Sequence, residues 1–107
     1  MDTAYGGETA CSSKALCWAG VEACEPRKLA SFNILYTNGT ANDRIDAVTI
    51  DYSMDGISFT CFNNCKEMSL NNDAFSFPTP LLAMKVHVHF VKYSGNPRFG
   101  IKFNWAS

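Results

Sequence analysis

The sequence predicts an all-β fold, an antiparallel β-sandwich or barrel. Three observations predict it: segments in which apolar and polar residues alternate, an Asp-Gly pair between two such segments, and no helical period long enough for a helix. A length of 107 residues fits one domain with one core. Hydrophobic residues at 47% and charged residues at 18% exclude a disordered tail or a coiled coil.

The first part of the chain is predicted to be irregular and then to form a strand. Residues 1–27 show neither a helical nor a strand period and are expected to be irregular. Alternation begins at Lys28 and predicts a strand to position 36, whose apolar face consists of Ala30, Phe32, Ile34 and Tyr36. The Asn- and Gly-rich stretch 37–44 is predicted to be a loop.

A hairpin is the strongest local prediction. Val48, Ile50 and Tyr52 alternate with polar residues and predict the second strand. Asp55-Gly56 follows, and this pair between two strand-like segments predicts a tight turn with a return strand over 57–62.

The remaining strands lie in the second half of the chain. A polar loop over 63–73 leads to a short strand over 74–77, which is expected to end at Pro78 and Pro80 because proline cannot donate to a sheet ladder. Two longer strands follow, and their apolar faces consist of Met84, Val86, Val88 and Phe90, and of Phe99, Ile101, Phe103 and Trp105. The prediction is therefore one domain over 1–107, with the sandwich in 28–105.

Three blocks of the chain resemble the discoidin domain, also called the coagulation factor V/VIII type C domain. They are 44–59, which contains Tyr52-Ser53-Met54-Asp55-Gly56; 80–95, which contains Val86-His87-Val88-His89 and Tyr93-Ser94-Gly95; and the terminal strand 98–103. A fainter similarity lies within 11–27. The resemblance implies a galactose-binding-like jelly-roll β-sandwich, and the short length implies that the first strands of the family are lacking.

Composition and patterning exclude two classes of partner. A net charge of −1 supplies no cationic surface for nucleic acid. No apolar run reaches the roughly 20 residues of a transmembrane helix. The first residues lack the pattern of a signal peptide, which predicts a cytoplasmic or assembly-associated protein, with non-classical secretion as the alternative.

Five cysteines are an odd number, so at least one cannot pair within the chain. Cys61 and Cys65 come near the spacing of a zinc-binding pair, but the second pair is missing, which disfavours zinc. The alternative interpretation is that some cysteines are small buried hydrophobic residues. A bridge from Cys11 to Cys17 or Cys24 stays open for an oxidising compartment.

Metal and catalytic sites are not predicted. His87 and His89 point to the same face of one strand, as two metal ligands would, but no third ligand is spaced to join them, which favours a structural or interfacial role. No Gly-x-Ser-x-Gly motif surrounds any serine, so we expect neither enzyme activity nor a cofactor. The resemblance implies that calcium is absent too, because Lys102 stands where many members carry a calcium-binding Glu.

The resemblance also implies a ligand site in the loops at one end of the sandwich. Its candidate residues are Asn38, Asn42, Arg44, Tyr93 and Asn96. Tyr36-Thr37-Asn38 replaces the Gln-Gly-Arg that sugar-binding members tend to carry, and Arg44 replaces a Trp, so their usual sugar clamp is not retained in place.

Two binding hypotheses follow. The first is a non-catalytic binding or scaffold module that docks through an uncovered face onto a protein partner or larger assembly, including a homo- or hetero-oligomer. The alternative is a carbohydrate-binding lectin domain of the galactose type.

Overall fold

The computed structural model describes residues 3–6, 18–36, 44–94 and 99–106. The described strands are β1 (Thr3–Gly6), β2 (Trp18–Tyr36), β3 (Ile45–Ser53), β4 (Thr60–Cys61), β5 (Met68–Ser69), β6 (Ala74–Tyr93) and β7 (Phe99–Trp105). A short 3-10 turn, Phe62–Cys65, follows β4. Within these ranges, no helix has the length and apolar character needed to cross a membrane.

The strands form one antiparallel network built on two long strands. The order is β1-β2-β6-β3-β4, while β5 pairs with β3 and β7 pairs with β2. β2 and β6 contain 19 and 20 residues and pair with each other along much of their length. The predicted antiparallel all-β architecture is therefore confirmed.

Two register breaks interrupt the pairing of β2 with β6. One lies between Glu22 and Arg27 on β2, and the other lies between Leu29 and Ser31, opposite positions 76–81 of β6. Extra residues on one strand bend a ladder and increase its twist. Both ends of the long strands then contribute to one core, which consists of Ala19, Val21, Leu29, Phe32, Ile34, Ile45, Val48, Ile50, Phe77, Leu81, Ala83, Val86, Val88, Phe90 and Phe99.

The last two long strands have the predicted one-sided faces. Val86, Val88 and Phe90 are fully buried, while the residues between them are half-buried on the opposite face. The ring of Phe90 meets the ring of Phe99 edge-on at a centroid distance of 4.7 Å and so joins β6 to β7. Burial of each such side chain contributes about 1.5–3 kcal/mol to folding.

The prediction that a strand ends at Pro78 and Pro80 is wrong, because β6 continues through both prolines. In the β2–β6 register, Ser31 pairs with Ser76 and Leu29 pairs with Leu81, so the prolines lie in the break between these pairs. Both are exposed. Proline has no N–H to donate, and it is tolerated in this break because residues at a bulge do not donate hydrogen bonds to the opposite strand.

The prediction that residues 1–27 are irregular also requires correction. β1 lies at Thr3–Gly6, and β2 begins at Trp18 rather than at Lys28. The early part of β2 alternates through Ala19, Val21 and Ala23, all buried. Such small side chains bury little apolar surface, so their alternation is a weak signal compared with that of the strand's later, larger residues.

The Asp55-Gly56 hairpin is confirmed, but its return strand is shorter than predicted. Of the predicted return strand 57–62, Thr60–Cys61 is the part that pairs with β3. The Asp55 carboxylate accepts hydrogen bonds from the backbone N–H groups of Ile57 and Ser58 at 2.8 and 2.9 Å. These N–H groups are satisfied within the turn and do not extend the ladder.

Candidate functional site

Two of the predicted ligand residues lie side by side at one end of the sandwich. Arg44 immediately precedes β3, and Tyr93 is the last residue of β6. Ile45 pairs with Tyr93 in the β3–β6 register, and the Ser94 N–H donates to the Arg44 carbonyl at 2.8 Å. The sheet therefore brings Arg44 and Tyr93 to adjacent strand ends.

The other three predicted ligand residues, Asn38, Asn42 and Asn96, lie outside the described residues. In the sequence, Asn38 and Asn42 stand between Tyr36 and Arg44. Their role in ligand binding stays a prediction.

Tyr36, at the end of β2, supports the Arg44 side chain. The Arg44 guanidinium carbon lies 4.6 Å from the centroid of the Tyr36 ring, a cation–π contact. The Tyr36 hydroxyl accepts a hydrogen bond from the Ile45 N–H at 2.8 Å. Burial raises the pKa of Tyr36 above 10.0, although the Ile45 hydrogen bond opposes the shift, so the side chain is a neutral phenol at neutral pH.

Asp73 also holds the Arg44 side chain. Its carboxylate forms an ion pair with Arg44 Nη2, and the two side chains are 26% and 43% exposed, respectively. Asp73 has a φ of 61° and its carbonyl accepts a hydrogen bond from the Ile34 N–H at 2.7 Å, which ties this turn to β2. The ring and the carboxylate together orient the guanidinium, because Arg presents a planar, multidonor group.

Sequence reasoning missed Asp73 and treated Tyr36 as a core residue. Asp73 is 29 residues from Arg44, inside a polar loop with no motif that marks it. Asn72-Asp73 signals a turn, since Asn and Asp tolerate left-handed backbone, but a turn signal does not reveal a long-range partner.

An open depression of about 290 Å³ adjoins this cluster. It is lined by Arg44, Ile45, Asp46, Leu70, Asn72 and Asp73. The lining combines a guanidinium with two carboxylates and an amide, so it presents both hydrogen-bond donors and acceptors. Its size suits a small ligand.

The two histidines of β6 have different surroundings. The His87 ring stacks on Phe59 at 4.6 Å and lies 5.1 Å from the Trp18 ring, whereas His89 Nε2 lies 3.2 Å from Asp51 Oδ2. Burial lowers the pKa of His87, and the neighbouring His89 lowers it further. His87 therefore belongs to an aromatic cluster, whereas His89 contacts a carboxylate and also lies 6.5 Å from the Trp18 ring.

Cys61 and Cys65, the pair with near-zinc spacing, form a disulfide with a Cα–Cα distance of 5.0 Å. Cys24 lies exposed on β2. Cys11 and Cys17, which the sequence left as candidates for a bridge, lie outside the described residues.

Solved structures similar to this chain share its architecture. Discoidin II of Dictyostelium discoideum matches with a TM-score of 0.72 and 12% identity, over 84% of this chain and 37% of that chain. CBM32-3 from a family 31 glycoside hydrolase of Clostridium perfringens matches with a TM-score of 0.61 and 14% identity, over 83% and 66% of the two chains. The family 32 CBM of C. perfringens NanJ, solved in complex with galactose, matches with a TM-score of 0.57 and 15% identity, over 98% and 91%.

The chain has the discoidin-like jelly-roll fold. This confirms the predicted fold class and the resemblance carried by the second half of the sequence. Neither a protein-family model nor a curated protein sequence matches the chain. The discoidin-like chain spans about a third of discoidin II and about two thirds of CBM32-3. The lack of the family's first strands stays a prediction.

Proposed function

We propose that this discoidin-like chain is a non-catalytic carbohydrate-binding module, with its site at the depression beside Arg44. One observation carries the proposal: the Arg44 guanidinium lies over the Tyr36 ring, pairs with the Asp73 carboxylate and lines a polar depression. The similar structures support it, since two are carbohydrate-binding modules (CBMs) and one of these was solved in complex with galactose. Carbohydrate binding, the alternative hypothesis from the sequence, thus has more support than protein docking.

Recognition in this proposal depends on hydroxyl groups that meet fixed donors and acceptors. Arg44 makes its ion pair through Nη2, stays 43% exposed and lines the depression, so its remaining guanidinium N–H groups would donate to sugar hydroxyls. Asp46 and Asn72, which also line the depression, would supply oxygen acceptors. Tyr93, half-buried at the adjoining strand end, does not line the depression, and its ring would contact the apolar side only of a pyranose that extends beyond it.

Binding is tested by screening the full chain on a glycan array and measuring each hit by calorimetry. Arg44→Ala is expected to weaken affinity at least about tenfold, equivalent to about 1.4 kcal/mol. Arg44→Lys keeps the charge but loses the planar donors, and is expected to weaken binding as well.

Arg27→Ala is the matched control, because the Arg27 guanidinium also lies over an aromatic ring, 4.8 Å from the Trp105 centroid, and does not line the depression. Its affinity is expected to equal that of the unmodified chain. An array without any hit above background would refute carbohydrate binding, and equal losses in the Arg44 and Arg27 variants would refute the location of the site.

Docking onto a protein partner is the second candidate. A specific feature favours it: Met54, Ile57 and Phe59 are 46%, 83% and 39% exposed within the turn after β3. Clustered exposed apolar side chains are typical of interaction surfaces. Light scattering after size-exclusion chromatography tests the self-association form of this hypothesis. An oligomer that Ile57→Asp converts to a monomer would support it, and a monomer at every concentration would contradict it.

A further inference from the structure

A second polar cluster lies on the outward face of the sheet, away from the depression beside Arg44. The Asp51 carboxylate is at its centre. Asp51 Oδ1 lies 3.4 Å from Cys61 Sγ, and Asp51 Oδ2 lies 3.2 Å from His89 Nε2. The ligand atoms of Asp51, Cys61 and Cys65 all lie within 4.8 Å of one another.

Three elements bring these side chains together. Asp51 of β3 pairs with Cys61 of β4 on one side and with His87 of β6 on the other, two residues from His89. Cys65 ends the 3-10 turn that follows β4. Asp51 and His89 are 30% and 37% exposed, so an ion reaches the cluster from solvent without opening the core.

The disulfide decides what this cluster can bind. Joined to each other, the Cys61 and Cys65 sulfurs carry no proton to donate and are poor metal ligands, since the thiolate is the ligand form of cysteine. Two molecules of a low-molecular-weight thiol convert the disulfide to two thiols and become one oxidised disulfide themselves. The two sulfurs are then separate candidate metal ligands close to the Asp51 carboxylate.

We propose that the reduced protein binds zinc through the Cys61 and Cys65 thiolates and Asp51 Oδ1, and that the disulfide excludes the metal. Each thiol loses one proton on binding, so one Zn²⁺ enters and two protons leave. Two sulfurs with one carboxylate oxygen suit zinc, whereas calcium and magnesium require oxygen ligands alone. The fourth tetrahedral position is filled by water.

His89 is a positioning residue in this site. Its ring contacts the carboxylate oxygen that does not face Cys61, and such a contact orients a ligating carboxylate. His87 has a different role, because its ring stacks on Phe59.

Cobalt is the probe for the test, since cobalt in a thiolate site shows a charge-transfer absorption that zinc lacks. The full chain is reduced, freed of excess thiol under inert gas, and titrated with Co²⁺ and then with Zn²⁺ to displace it. We expect one equivalent of cobalt with the charge-transfer absorption in the reduced protein, and none in the oxidised protein. Absence of the absorption in the reduced protein would overturn the proposal.

Paired variants locate the metal. Cys61→Ser with Cys65→Ser is expected to abolish the absorption, while Cys11→Ser with Cys17→Ser, and Cys24→Ser alone, are expected to retain it. His89→Gln is expected to weaken zinc affinity about 10- to 100-fold, the range for residues that orient ligands, and His87→Gln is the matched control with unchanged affinity. Retention of the absorption in the Cys61/Cys65 variant, or its loss in the Cys11/Cys17 variant as well, would refute the assignment.

Discussion

The Tyr36 hydroxyl accepts a hydrogen bond from the backbone N–H of Ile45 at 2.8 Å, which ties the end of β2 to the start of β3. Ile45 is only 3% exposed, so its N–H has little access to water as an alternative partner. The same tyrosine ring supports the Arg44 guanidinium. One side chain thus stabilises the junction of two strands and positions the central residue of the candidate carbohydrate site.

Removal of this hydroxyl is expected to destabilise the protein. Tyr36→Phe leaves the Ile45 N–H without its acceptor and is expected to lower the free energy of unfolding by about 1–3 kcal/mol, measured by chemical denaturation. The ring remains over Arg44, but the hydroxyl also hydrogen-bonds the Asp73 side chain, so glycan affinity is expected to fall less than in Tyr36→Leu, which is expected to lose both affinity and stability. Equal stability of Tyr36→Phe and the unmodified chain would show that water replaces the hydroxyl.

The hydrogen bonds that the Asp55 carboxylate accepts in its turn are expected to persist to low pH. Hydrogen bonds from the N–H groups of Ser58 and Ile57, followed by the Ser53 hydroxyl, lower the pKa of Asp55 from 3.8 to about 2. Since the folded-state pKa is depressed, the stabilisation is present above pH 3.8 and is lost as the pH falls through about 2. NMR titration of the side-chain carboxyl groups measures this pKa.

An Asp55→Asn variant provides the corresponding stability test. It is expected to unfold more readily than the unmodified chain at neutral pH, with the difference shrinking toward pH 2. Glu67→Gln is the control, because it removes an exposed carboxylate outside the turn. A normal carboxyl pKa at Asp55 would mean that the turn hydrogen bonds do not persist in solution.

His87 is expected to make stability depend on pH in the mildly acidic range. Burial, followed by the charge of His89, lowers the pKa of His87 below 6.5. The unfolded chain therefore takes up a proton at higher pH than the folded protein, and the free energy of unfolding decreases as the pH falls from 6.5 through the folded-state pKa. Unfolding curves across this range are expected to be less pH-dependent in His87→Gln. An unchanged pH dependence in that variant would contradict the prediction.

Phe90 is expected to be among the most sensitive core positions. It is fully buried and its ring contacts Phe99, so Phe90→Ala leaves a cavity between β6 and β7 and is expected to cost about 3–5 kcal/mol. Thermal and chemical unfolding measure the loss. Leu82→Ala is the control on the same strand, where the side chain is 45% exposed and the expected change is within about 0.5 kcal/mol. Comparable losses in the two variants would contradict the assigned core.

Local parts of the fold are predictable where large apolar side chains alternate along a strand or where a pair such as Asp-Gly marks a turn. Val86, Val88 and Phe90 predicted the buried face of β6, and Asp55-Gly56 predicted the hairpin. The prolines of β6 were misjudged, because the sequence does not reveal that the opposite strand leaves a register break there. The start of β2 was missed because Ala19 and Ala23 carry too little apolar surface to mark a strand.

The residues of the candidate sites also divide into those that the sequence marked and those that only the fold brings together. Arg44 and Tyr93 were selected from the sequence through a family resemblance, and the sheet brings them together, while Asn38, Asn42 and Asn96 stay predictions. Asp73 carried no local signal, since its partner Arg44 is 29 residues away. The zinc interpretation of Cys61 and Cys65 was disfavoured for want of further ligands, and the fold supplies Asp51 from another strand.

The sequence by itself therefore determined the all-β class, most strand faces and the hairpin, because alternation and turn chemistry act over a few neighbouring residues. Only the tertiary structure decided where β2 and β6 bend, which carboxylate holds Arg44, and that Asp51 lies between His89 and two cysteines. These relationships depend on strand register. Register is set by packing of the whole sheet, so residues far apart in the chain become neighbours without any local signal.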